Sequence, residues 1–183
     1  MQVIYFGEEV AQRSVERLLS RLQQANSSRY VHVDSPGGTF DFFSVLAPAI
    51  ERQGIITLSG NVRSAAILLY LLGNTRQAFP DSSFFFHEVR AMVGPRGGIT
   101  VADLEEVEEY EKEMSGRQRE GYQEWCRSMQ AAQNWFLIFV SQRTGVPIPT
   151  FLSLMRSEAT LSANEAIRYG IAHEVVPEDF LHR

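Results

Sequence analysis

A chain of 183 residues with 44% hydrophobic and 21% charged side chains is sized for one domain with its own core, which excludes a mainly disordered polymer. The formal net charge of -5, with the acids concentrated in one stretch, argues against a basic nucleic-acid surface. The single cysteine, Cys126, excludes an intrachain disulfide and a cysteine-rich zinc site, and the longest apolar run, 65–72, is too short to span a bilayer. The opening MQVIYF lacks the pattern of a signal peptide, so a soluble, cytoplasmic, single-domain protein is expected.

From residue 3 onward strand and helix signals alternate. Residues 3–6 are a β-rich run closed by Gly7, and 10–22 put Val10, Ser14, Leu18 and Leu22 on one helical face. A second strand is predicted over 30–33, ending in the chain reversal Ser35-Pro36-Gly37-Gly38. A helix over 42–50 stops near Gly54, a third strand covers 55–58, and Ser59-Gly60-Asn61 reads as the turn after it. An apolar helix follows over 64–72 and ends at Gly73. Two further β-like segments, 77–79 and 84–87, flank Pro80-Asp81-Ser82-Ser83. This order predicts an α/β domain with parallel strands and right-handed crossovers. Sites in such sheets form at the carboxyl ends of strands, where Gly37-Gly38, Ser64 and His87 all fall.

The second half reads as mostly helical. Thr100 and Asp103 resemble a capping box, followed by Leu104, Val107, Tyr110 and Met114 at helical spacing. The seven acidic residues from 103 to 113 read as a solvated helix face. Gly116 and Gly121 are expected to break this helix from the next, which carries Trp125, Met129, Ala132 and Phe136 on one packing face. Ser162 and Glu165 form a cleaner capping box for a helix running to Gly170, and 172–176 is β-like again.

Several chemistries drop out at once. His32, His87, His173 and His182 show no metal-ligand spacing, and no phosphate loop is present. The 17 basic residues comprise 16 arginines and Lys112. Arginine stays protonated, so any catalytic lysine must be Lys112. Gly94-Pro95-Arg96-Gly97-Gly98 reads either as a flexible loop or as an extended lip that binds a peptide. Ser64 stands where a strand has turned into an apolar helix; it is either a helix cap or a nucleophile whose oxyanion meets unpaired backbone N–H groups. Gly37-Gly38 is either a plain turn or a close approach that aims an N–H at a substrate carbonyl. His87, ending Phe84-Phe85-Phe86-His87, is either a half-buried structural ring or a general base.

In this order and spacing the segments resemble one known family. Val33-Asp34-Ser35-Pro36-Gly37-Gly38, Gly60-Asn61-Val62-Arg63-Ser64-Ala65-Ala66 with its apolar continuation, and 78–87 leading to His87 are similar to the Clp protease proteolytic subunit (ClpP) family of the ClpP/crotonase superfamily. So are Leu161-Ser162-Ala163-Asn164-Glu165-Ala166 and Tyr169-Gly170-Ile171 near the end. The resemblance runs over nearly the whole chain. It implies an α/β, ClpP/crotonase-like fold of repeated ββα-type units, with a mostly parallel sheet and a protruding handle helix region. One domain would cover 1–183, with an enlarged handle at about 88–142. The implied activity is that of a serine endopeptidase acting on polypeptides. Ser64 would be the nucleophile, His87 the general base, and the N–H groups of Gly38 and Ala65 the oxyanion hole. An ungapped count between Arg143-Thr144-Gly145 and Ser162-Ala163 puts Glu158 where the family has its triad aspartate. The implied assembly is a homo-oligomeric ring, heptameric and stacked in pairs, with an AAA+ ATPase unfoldase as the partner class. No cofactor, metal, nucleic acid or membrane is implied.

The departures are specific. Glutamate replaces the aspartate, the segment after His87 is longer and acid-rich, and the N-terminal axial loops are expected to be missing. Asn61-Val62-Arg63 stands where small residues are usual, so a bulky cation beside the nucleophile would narrow the substrate range. His173, where the family often has an aspartate, is read as structural. Competing readings are a weak or inactive ClpP-like ring or scaffold subunit and a phage-type ClpP-like maturation protease. The Ser–Lys dyad of signal peptide peptidases would need Lys112, whose acidic neighbours would raise its pKa. Crotonase-type acyl-CoA enzymes place no Ser/His pair at these positions.

Overall fold

The computed structural model describes residues 3–25, 29–92, 98–106 and 114–182. Short apolar-alternating segments build the first strands. In β1 (Val3–Phe6) Ile4 and Phe6 are buried while Tyr5 is exposed, and in β2 (Tyr30–Ser35) Val31 and Val33 are buried while Tyr30 and His32 face the other side. The period of two gives the sheet one face in the main core and one partly open face. Between them α1 (Gln12–Gln24) turns Val15, Leu18 and Leu22 inward, and α2 (Phe43–Glu51) contributes Phe43, Ala47 and Ile50. On the opposite face a smaller cluster gathers Leu58, Phe79 and Val176, with Val3, Tyr30 and Phe180 against it.

The central strands run further than their composition predicts. β3 (Ile56–Arg63) continues through Ser59-Gly60-Asn61, and β4 (Thr75–Phe85) is one strand through Pro80. The tertiary pairing explains both corrections. Ser59 pairs with Ala78 and Asn61 with Ser83, so the extra residues of β4 bulge outward between two parallel stretches of ladder. Ser82 closes the bulge: its hydroxyl donates to Ser59 O (2.7 Å) and accepts from Phe79 N–H (3.0 Å). Pro80 is exposed on this bulge, where its missing N–H is not needed.

The main sheet has the order β1-β2-β3-β4-β7, with β8 also on β4. β1 to β4 are parallel, β7 (Thr160–Ser162) is antiparallel to the end of β4, and β8 (Glu174–Val175) pairs parallel with Gln77 and Ala78. The mixed α/β architecture with a mostly parallel sheet is as expected. The helix after β3, α3 (Ala66–Tyr70), starts later than predicted and is apolar all round because every side of it is buried.

Beyond His87 the chain forms a small antiparallel pair, β5 (Arg90–Met92) and β6 (Gly98–Thr100), then α4 (Val101–Glu106) and α5 (Gly116–Thr144). The Thr100–Asp103 capping box forms, with Thr100 N–H on Asp103 Oδ2 at 2.7 Å. Residues 94–97 of the glycine-rich loop and 107–113 of the acidic stretch, Lys112 included, lie outside the described residues. Gly121 does not break α5, contrary to expectation; it is exposed with nothing near it, and a glycine's cost of about 1 kcal/mol is small against a 29-residue helix. The helix joins the core through Phe136, Leu137 and Val140, while Met129 packs with Val101 and Leu104 in a satellite cluster. After α6 (Ile148–Arg156) and β7, the Ser162 cap starts α7 (Ala163–Arg168) as its capping box predicts. Arg76, buried, ties these pieces together: its guanidinium donates to the carbonyls of Ile171 (2.7 Å), Gly170 (3.0 Å) and Arg143 (3.1 Å). His173 is in the same knot, its Nδ1 accepting from Arg76 N–H, as a structural reading anticipates. Among the described residues no helix is long and apolar enough to cross a membrane.

Candidate active site

Parallel pairing brings the carboxyl ends of β2, β3 and β4 to one edge. Ser35 is in register with Val62, and Arg63 with Phe85, so the residues just past each end become neighbours. Ser64 follows β3 directly. Its N–H donates to Phe85 O (3.0 Å), and its backbone then turns with φ +53°, a conformation rare for a residue with a Cβ. Its hydroxyl does not cap α3, whose N-cap is Ala65 without a side-chain cap bond. The turn after β2 is packed against this elbow. A Cβ on Gly37 would lie 2.6 Å from Ser64 Cβ and 2.7 Å from Arg63 O, and one on Gly38 would lie 2.2 Å from Val10 O. Both glycines also have positive φ, +94° and +148°. Val10 N–H bonds to Gly37 O (2.7 Å) and Thr39 N–H to Val10 O (2.9 Å), a bridge that leaves Gly38 N–H out of the ladder.

His87 comes from the end of β4. Gly38, Ser64, Ala65 and His87 all line one cavity of about 70 Å³, closed by Phe40, Phe136 and Met155. The His87 Nδ1 lies 2.6 Å from Glu88 O. With Nδ1–H donating to that carbonyl, Nε2 carries the lone pair a general base needs. Burial holds the imidazole below its ordinary value; the Glu88 carbonyl opposes this, and the cations of Arg90 and Arg63 add to the lowering. The balance favours the neutral ring, the form a general base needs. Among the described residues Ser64 Oγ and His87 share no hydrogen bond.

The segment after His87 is clamped by a residue whose role the sequence conceals. Gln133 of α5 is buried; its Oε1 accepts from Val89 N–H (3.0 Å) and its Nε2 donates to Glu88 Oε1 (3.3 Å). The Glu88 carboxylate is also buried and lies 3.6 Å from Arg156 Nε. No local motif marks Gln133, because its partners are 44 and 45 residues away.

Glu158, expected at His87, is not among the cavity's lining residues. It follows α6 with φ +49°, is half exposed, and forms an ion pair with Arg90. Arg90 does line the cavity, a position nothing in its sequence context signals. Arg63, flagged as a cation beside the nucleophile, is exposed and lies with its guanidinium 4.8 Å from the centre of the Phe85 ring.

A model of the Clp protease family matches residues 2–179 of this chain. Among solved structures, the ClpP protease catalytic domain from Plasmodium falciparum is similar in fold, with a TM-score of 0.68 at 17% identity, over 95% of this chain and 84% of that one. Comparison with curated proteins gives no match. A family match from residue 2 to residue 179, over a fold that gathers Ser64, His87 and the Gly37-Gly38 turn at one sheet edge, makes this chain a member of the Clp protease family.

Proposed function

We propose that the protein is a serine endopeptidase. The observation that carries this reading is the shared cleft of Ser64, His87, Gly38 and Ala65, with Ser64 on a positive-φ elbow directly against Gly37. In the proposed reaction His87 Nε2 takes the Ser64 hydroxyl proton as Oγ attacks the scissile carbonyl carbon. The N–H groups of Gly38 and Ala65 receive the oxyanion. Collapse expels the amine, which leaves with the proton from His87; water, deprotonated by the same ring, then cleaves the Ser64 ester. Glu158 is the proposed acidic member. In this reading its carboxylate leaves Arg90 and takes over His87 Nδ1 during turnover, while Glu88 O holds the tautomer at rest.

The reading includes assembly into a homo-oligomeric ring, heptameric, that encloses the sites. It is supported by an open groove between α2 and α5, where Trp135 stacks on Phe40 and Phe139, and by exposed Val45 and Ile138. A second reading, a catalytically silent ring subunit, is favoured by the missing Ser64–His87 hydrogen bond and by the engagement of Glu158 elsewhere.

A fluorophosphonate probe separates the two. Covalent labelling that vanishes in Ser64→Ala, together with hydrolysis of short peptides by the parent alone, is the expected result. Absence of both from the folded, assembled parent would make it the silent subunit.

A further inference from the structure

We propose that the cleft selects peptides carrying a carboxylate beside the scissile bond, with Arg90 as the specificity-determining residue and Arg63 as a second cation at the entrance. The inference rests on the peptidase reading and names its substrate class.

Arg90 borders the same cavity as Ser64 and His87, and its guanidinium already holds a carboxylate, that of Glu158. A guanidinium fork matches a carboxylate in geometry as well as charge, so a substrate acid can take the place Glu158 occupies. That exchange is open because both partners are partly exposed, 39% and 54% at the side chain. Arg63 immediately precedes the nucleophile. Its stacking on Phe85, whose ring in turn lies 5.6 Å from that of His87, keeps its cation near the cleft.

Among the described lining residues none offers an accessible carboxylate, so Glu158 at Arg90 is the acid that a substrate must displace. Glu88 is the acidic residue of the described lining, and its carboxylate is buried, held by Gln133 and facing the exposed Arg156. The lowering of the His87 pKa by both Arg90 and Arg63 agrees that the two cations share one field over the cleft. A neutral substrate has nothing to offer them, and a basic one is repelled. The carboxylate can come from a Glu or Asp side chain or from a free peptide C-terminus, and the chemistry of Arg90 serves either.

Binding tests this without turnover. Fluorescence anisotropy of labelled hexapeptides on the Ser64→Ala protein would compare Glu, Gln and Lys at the central position, and a C-terminal acid against its amide. The Glu peptide is expected to bind about tenfold more tightly than the Gln peptide, with Lys weakest. A preference for acid over amide alone would identify the terminal carboxylate as the ligand. Adding Arg90→Gln should bring the Glu/Gln ratio close to one, and Arg63→Gln should lower it. Should Arg90→Gln not fold, raising KCl with the arginines intact must shrink the same ratio. Equal affinity for all peptides, or a preference unmoved by Arg90→Gln, would overturn the proposal. Acid-selective binding by a protein whose parent hydrolyses nothing would leave the proposal standing and sink the peptidase reading alone.

Discussion

Ser64 holds its positive φ between three neighbours: its N–H is tied to Phe85 O, Ala65 is the N-cap of α3, and Gly37 packs so closely that a Cβ there would lie 2.6 Å from Ser64 Cβ. Strain held this way keeps a hydroxyl aimed without needing a side-chain partner. In the proposed reaction His87 is the base, and its pH behaviour follows from its surroundings. Because burial and two arginines lower its pKa, kcat/KM should rise with pH along a limb below the ordinary histidine value and be flat through neutrality. Arg63→Gln removes a cation that favours the neutral ring, so the acid limb should move to higher pH; a pH–rate profile that stays put would contradict the electrostatic account. Glu158 gives the sharper test. If it orients His87 during turnover, Glu158→Gln lowers kcat about a hundredfold or more and Glu158→Asp retains activity. Equal rates for all three would leave Glu88 O as the sole tautomer anchor and Glu158 as the partner of Arg90 only.

At the scale of elements the site depends on which strand ends meet. The bulge between β3 and β4 lets Ala78 pair with Ser59 and Ser83 with Asn61, so both strands reach the edge in register despite their unequal lengths. The far wall is set by α5 through Gln133, which holds residues 88 and 89 and with them the direction of His87. Gln133→Leu would strand the Val89 N–H and leave the buried Glu88 carboxylate with Arg156 as its remaining polar side-chain partner. The expected cost is about 2 kcal/mol in denaturant unfolding. A positioning role adds a fall in kcat with KM little changed, which a merely structural residue would not produce in the folded fraction.

For the whole molecule, the helices that flank the open groove, α2 and α5, also carry exposed apolar side chains outside it, which the proposed assembly would cover. Val45 is 76% and Ile138 46% exposed, so Val45→Asp with Ile138→Asp should leave folding intact by circular dichroism. Light-scattering mass at micromolar concentration is expected to show an oligomer for the parent and a smaller species for the double variant; a monomeric parent would refute assembly. Much of this was legible in the chain itself. The alternation of strands and helices, the Ser162 and Thr100 caps, and the order Gly37-Gly38, Ser64, His87 are local signals, written in residues close in sequence. What the tertiary structure decided are pairings across long separations: the continuity of β3 and β4, the clamp of Gln133 on Glu88 and Val89, the Arg76 knot, and the ion pair of Arg90 with Glu158, 68 residues apart. Such contacts leave no periodic trace, because a buried glutamine or arginine is stabilised by whichever partners the fold delivers to it.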